Sequence, residues 1–157
     1  MATVTATRAA STFPVFSPVG SGLLCAAYGS YDFAAEPAAA DILEICKVPA
    51  GAVILGGFIR AEDLDSDASE TIDIDVGYAA NGAVAADPDA FGNFGVQTGD
   101  AVTGYLPEGG VLLPLHGTLK DGPVTLTKDT TITVTFVDDP ATFAAGTVTV
   151  VVHYVVP

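Results

Sequence analysis

The chain has 157 residues, half of them hydrophobic and 15% charged, with no tryptophan. That length suits one domain, able to bury about two-thirds of the surface its unfolded chain exposes without help from metals or disulfides. Nineteen acidic residues stand against Arg8, Lys47, Arg60, Lys120 and Lys128, and the formal net charge of -14 excludes direct binding to nucleic acid or anionic lipid, which needs clustered Lys and Arg. No 18-residue apolar run is present to span a membrane, and the first residues lack the uninterrupted apolar segment of a secretory signal.

Residues 1–22 carry short β-prone pieces broken by Pro14, Pro18 and Gly20-Ser21-Gly22, the pattern of an extended N-terminal arm that lies on the domain's own edge or on a neighbouring subunit. The domain proper spans 23–157. Residues 23–34 read as a short strand or a hairpin about Gly29-Ser30, and the Ala-rich step to Ala40, interrupted by Pro37, as a connection. Strands are predicted over 41–48, 51–60 and 71–79. In the second, Ala52-Val53-Ile54-Leu55 is apolar on both faces, which suits the centre of a sheet, and Gly56-Gly57 marks a bulge or a close backbone approach. In the third, Ile72, Ile74, Val76 and Tyr78 alternate with Asp73, Asp75 and Gly77, giving one dry face and one wet face.

The stretch 80–110 is rich in glycine and turn residues and reads as a long loop, with a single helical turn starting at Asp87-Pro88. Its aromatics, Phe91, Phe94 and Tyr105, either plug the core or, with Phe13 and Phe16 of the arm, anchor a partner. Pro114 confines Val111 to Leu115 to an edge or a bulge. Residues 124–127 and 130–137 are strands flanking a tight turn at Lys128-Asp129, and 147–156 is the longest strand, with Val148, Val150, Val152 and Tyr154 on its buried face. Eight or nine strands without a substantial helix define an all-β fold, an antiparallel β-sandwich or jelly-roll-like single domain.

The chemistry-bearing residues are sparse. Glu62 to Glu70 resembles the opening of a calcium loop, with Asp63, Asp65 and Asp67 as weak metal candidates, but Ala68 stands where such a loop needs Gly and Ile74 where it needs Glu. A solvated acidic turn is the expectation, and with it near-neutral stability for Asp63→Ala with Asp65→Ala. His116 and His153 have no nucleophile and orienting acid assembled around them, and Cys25 and Cys46 read as reduced, mostly buried thiols. Neither a catalytic site nor a cofactor is expected. A carbohydrate-binding jelly roll is the rival binding class, weakened by the absence of tryptophan platforms.

Several short segments carry a resemblance. They are Tyr28 to Phe33, Ala38-Ala39-Ala40-Asp41, Val48-Pro49-Ala50-Gly51, Asp63-Leu64-Asp65-Ser66, Ile74-Asp75-Val76-Gly77-Tyr78, and Asp139-Pro140-Ala141-Thr142-Phe143-Ala144-Ala145-Gly146. Their succession across residues 24–156 resembles the capsid decoration, or head cement, proteins of tailed bacteriophages. The resemblance implies a structural virion protein on the capsid exterior, assembled in the host cytoplasm. It also implies a homotrimer whose partner is the major capsid protein, with a phage tail or head-fibre component as the alternative role.

Overall fold

The computed structural model describes residues 1–15, 20, 22–82, 84–96, 110–115 and 122–157. The described residues form ten strands: β1 (Thr3–Thr5), β2 (Cys25–Phe33), β3 (Ile42–Val48), β4 (Val53–Ala61), β5 (Asp73–Tyr78), β6 (Asp87–Val96), β7 (Val111–Pro114), β8 (Val124–Thr125), β9 (Thr130–Asp138) and β10 (Gly146–Val155). Among the described residues there is no helix. The strands form two sheets packed face to face, sheet A in the order β1-β3-β9-β5-β6 and sheet B in the order β2-β10-β4-β7, with β8 also paired to β4. Successive strands repeatedly change sheet, as in a jelly roll, and the pairing is antiparallel except for β1 against β3.

Period-2 alternation decides which residues fill the space between the sheets. From β10 it sends in Val148, Val150, Val152 and Tyr154, from β5 Ile74, Val76 and Tyr78, and from β9 Ile132, Val134 and Phe136. Leu43 and Ile45 of β3 and Ile59 of β4 complete the centre, and Phe33 meets Phe136 edge to face at 5.2 Å between ring centroids. β4 lies between β10 and β7, the interior position its two apolar faces predict, while β7 with Pro114 is an edge. Both readings of Gly56-Gly57 hold. The register with β10 slips by one residue beside Gly56, and a Cβ on Gly57, where φ is 155°, would strike the Val151 carbonyl.

One open alternative closes, on the side of a strand, and three expectations change. Residues 25–33 are one nine-residue strand, and Gly29 is required by close approach: a Cβ there would strike the Ile45 carbonyl of β3, at the bulge between Glu44 and Cys46. Part of the long loop is strand, because 87–96 forms β6 on the edge of sheet A. Its alternation is hidden by two register irregularities against β5, which let Ala90 and Phe91 both face inward. Asp87-Pro88 therefore opens a strand rather than a helical turn, and its main chain passes so close over Gly77 that no side chain fits there. Lys128-Asp129 does not close a hairpin, since β8 belongs to sheet B and β9 to sheet A.

The third change concerns the N-terminal residues. β1 adds in parallel to the edge of sheet A, and the chain then folds into turns rather than staying extended, with the Ala9 amide donating to the Ala6 carbonyl and the Phe13 amide to the Ala10 carbonyl. Ala6 and Ala9 are buried, and Arg8 crosses to β2, its guanidinium stacked 3.8 Å from the Tyr28 ring centroid and bonded to the Tyr28 hydroxyl at 2.7 Å. This segment ties the edge of sheet A to the edge of sheet B.

Candidate functional site

The acidic turn is not the solvated loop its composition predicts. Asp65 is 1% exposed. Its Oδ1 accepts the amides of Asp67 (3.3 Å) and Thr142 (2.9 Å), and its Oδ2 those of Thr71 (2.8 Å), Ile72 (3.4 Å) and Ala141 (2.9 Å). Burial works against ionisation, but the amides of Thr71, Thr142, Ala141 and Asp67 outweigh it and hold the carboxyl down to about 2. Asp63 and Asp67 likewise spend an oxygen each on backbone, accepting from the amides of Asp65 and Ser69. The three weak metal candidates thus shape the turn, and Asp65 fastens it to the segment 139–143, where Asp65 also forms a bridge with Phe143. Among the described residues no three acidic, histidine or cysteine side chains converge as a metal shell.

The aromatic candidates are dispersed. Phe91 is fully buried and packs on Tyr78 with 5.8 Å between centroids, so it serves the core rather than a partner. Phe94 is half-buried and its ring covers Gly92. Phe13 is half-buried near Tyr28, with the Arg8 guanidinium 5.2 Å from its ring centroid. Phe16, Tyr105 and His116 lie outside the described residues. His153 is half-buried on the outer face of β10, opposite Ala26 and Gly56. Cys25 and Cys46 are both free thiols; burial pushes Cys46 up to about 12 against the opposing charge of Arg8, which makes it a poor nucleophile.

The outer faces of the two sheets differ more than any local motif does. On sheet B the register lines up Tyr28, Val151, Phe58 and Pro114 in one row, and Ser30, Thr149, Arg60 and Leu112 in the next. Tyr28, Leu55 and Leu112 are each more than 40% exposed there, and Asp32 is the one acid on the strands of this sheet. On sheet A, β5, β6 and β9 carry Asp73, Asp75, Asp87, Asp89 and Asp138. Sequence reading missed this division because it depends on which strands share a sheet, although the near absence of acids from 51–60, 111–115 and 146–155 is visible in the chain.

The whole-chain geometry is shared with solved structures. A chain of the cyanophage Pam1 capsid asymmetric unit matches with TM-score 0.67 and 26% identity, over 94% of this chain and 96% of that one. The fold is one used in phage capsids. A chain of the capsid of Ralstonia phage GP4 superposes with TM-score 0.78 at 22% identity, over 99% of each chain, which shows the common fold. No family model and no curated protein matches. The similarity runs nearly end to end in both chains.

Proposed function

We propose that this protein is a structural virion component, without enzymatic activity, that binds the outer surface of a phage capsid and stabilises it. The end-to-end similarity to a chain of a capsid asymmetric unit carries this reading. The fold supports it: among the described residues of a rigid two-sheet body no catalytic group is assembled, and of the exposed large apolar side chains on strands Tyr28, Leu55 and Leu112 lie on sheet B, against Val96 and Val137 on sheet A. A chain of charge -14 meets other subunits with least repulsion through its acid-poor surface. The outer face of sheet B is therefore the attachment face, and the N-terminal residues with Phe13 beside Tyr28 extend it. The partners are the major capsid protein and, in a homotrimer, further copies of this chain.

Co-sedimentation of the full-length protein with heads that lack it tests the reading. Wild type is expected to pellet with the heads and to raise their rupture temperature. Val151→Glu, which places an acid in the middle of the sheet B face, is expected to weaken pelleting at least tenfold, whereas Thr131→Glu on sheet A leaves it unchanged. Failure of wild type to bind any head preparation overturns the proposal. Equal binding by Val151→Glu moves the attachment face elsewhere.

A further inference from the structure

Three buried side-chain oxygens among the described residues have no hydrogen-bond partner: Asp73 Oδ1, Asp75 Oδ1 and Thr135 Oγ1. They belong to one small area on the outer side of sheet A. Asp75 lies opposite Thr135 of β9 in register, and Asp73 precedes it by two residues on the same face of β5. Asp75 is 6% exposed, although an outward-facing residue of an outer sheet face is ordinarily wet. Its neighbour on β6 is Asn93, and the start of β6 passes over β5 at Gly77.

The charges around it all have one sign. Asp73 and Asp89 act on Asp75, Asp138 of β9 acts on Asp73, and Asp87 is hydrogen-bonded to Asp89. The other side chains facing Asp75 from β9 and β6, Thr135 and Asn93, are neutral, and the Phe94 amide of β6 donates to its carboxyl without offsetting burial and the like charges. The described cations are engaged elsewhere: Arg8 on Tyr28, Lys47 on the Ala10 carbonyl, Arg60 on Glu62, and Lys128 beside Gly82. A buried carboxylate with a free oxygen and only like charges around it is costly unless something positive is shared. No ready metal shell exists there among the described residues. A proton is the smallest answer, and on Asp75 it gives the carboxyl a donor of its own and removes one of the like charges.

We propose that Asp75, with Asp73 and Thr135, forms a proton-operated latch that holds β5 more firmly to β6 and β9 in mildly acidic solution than at neutral pH. The direction is the reverse of ordinary acid denaturation. Burial, then the charges of Asp73 and Asp89, raise Asp75 to about 6 from its ordinary 3.8, and Asp73 and Asp87 are raised in the same direction, burial again first. A carboxyl that holds its proton more tightly when folded adds stability as the pH falls through its folded value towards its unfolded one. The depressed carboxyl of Asp65 releases its contribution only below that window.

The test is a set of thermal melts of the full-length protein from pH 7.5 to pH 5. Wild type is expected to gain about 5 °C on acidification, given the few degrees per unit of stability typical of a chain this size. Asp75→Asn is expected to melt above wild type at pH 7.5 and to lose most of that gain. A wild-type melt that is flat or falls towards pH 5, or an unchanged gain in Asp75→Asn, overturns the latch. Carboxyl-carbon NMR of wild type gives an answer that does not depend on how the variant folds: an Asp75 midpoint above 5 supports the latch, and one near 4 overturns it. Melts at pH 7.5 with 1 mM calcium complete the set. A rise of several degrees in wild type that is absent in Asp75→Asn would assign the site to a metal ion instead of a proton.

Discussion

Asp65 accepts five backbone amides from three stretches of chain, and no other side chain could replace it without leaving donors unpaired inside the fold. Asp65→Ala is therefore expected to lower stability by about 3 to 5 kcal/mol, the cost typical of breaking a buried charged network. That corresponds to a fall of about 10 °C in a thermal melt, in contrast with the near-neutral outcome that composition alone predicts for this turn. Asp63→Ala, which loses one bond to the Asp65 amide, is expected to cost about 1 kcal/mol. The pH dependence has a definite sign. A carboxyl depressed to about 2 contributes fully above its ordinary 3.8 and loses that contribution as the pH falls through its folded value. Acid unfolding of wild type should thus steepen below pH 4, and that steepening should be absent in Asp65→Ala.

At the scale of elements, β2 of sheet B meets β3 of sheet A at Gly29, where a Cβ would strike the Ile45 carbonyl. Gly29→Ala is expected to force the Ile45 carbonyl back and lower stability by about 1 to 3 kcal/mol or more, since the obstacle is backbone. Ser30→Ala, one residue away on the exposed side, should stay within about 0.5 kcal/mol. The strand β6 makes a separate prediction. Because residues 87–96 pair with β5 and Phe91 fills the core, Phe91→Ala should cost about 3 to 5 kcal/mol. Hydrogen exchange at the paired amides of β6 should be slow, where a loop would exchange freely. Rapid exchange throughout 87–96 would contradict the strand.

At the scale of the whole molecule, the two sheets present an acidic face and an acid-poor face, and it is on this asymmetry that the proposed attachment through sheet B rests. The N-terminal residues join the two sheet edges through β1, Ala6, Ala9 and Arg8. Deleting residues 2–19 is therefore expected to leave a folded sandwich that melts several degrees lower, because it removes one edge strand together with the buried Ala6 and Ala9. It should also attach to heads weakly or not at all. Arg8→Ala separates the two effects: losing the stack on Tyr28 should cost about 1 kcal/mol while leaving β1 paired. Undiminished co-sedimentation of the truncated protein would remove the N-terminal residues from the attachment surface.

Alternation along β5, β9 and β10 determined the inward faces, because a period of two in a half-buried strand depends on nothing beyond the strand itself. The interior place of β4 and the edge place of β7 were legible for the same local reason: proline and doubly apolar runs act within a few residues. The charge of -14 set an expectation against nucleic acid and anionic lipid as partners without any structure. Tertiary structure decided what depends on residues far apart in sequence. β6 was hidden because bulges against β5 break its alternation, and Gly29 resembled a turn because the carbonyl that requires it comes from another strand. Asp65 resembled a solvated acid because its donors Ala141 and Thr142 lie more than seventy residues away. The unpartnered Oδ1 of Asp75 and the acid-poor face of sheet B have the same origin: burial and charge at a surface are set by which strands become neighbours, and pairing between distant segments is not written in either segment alone.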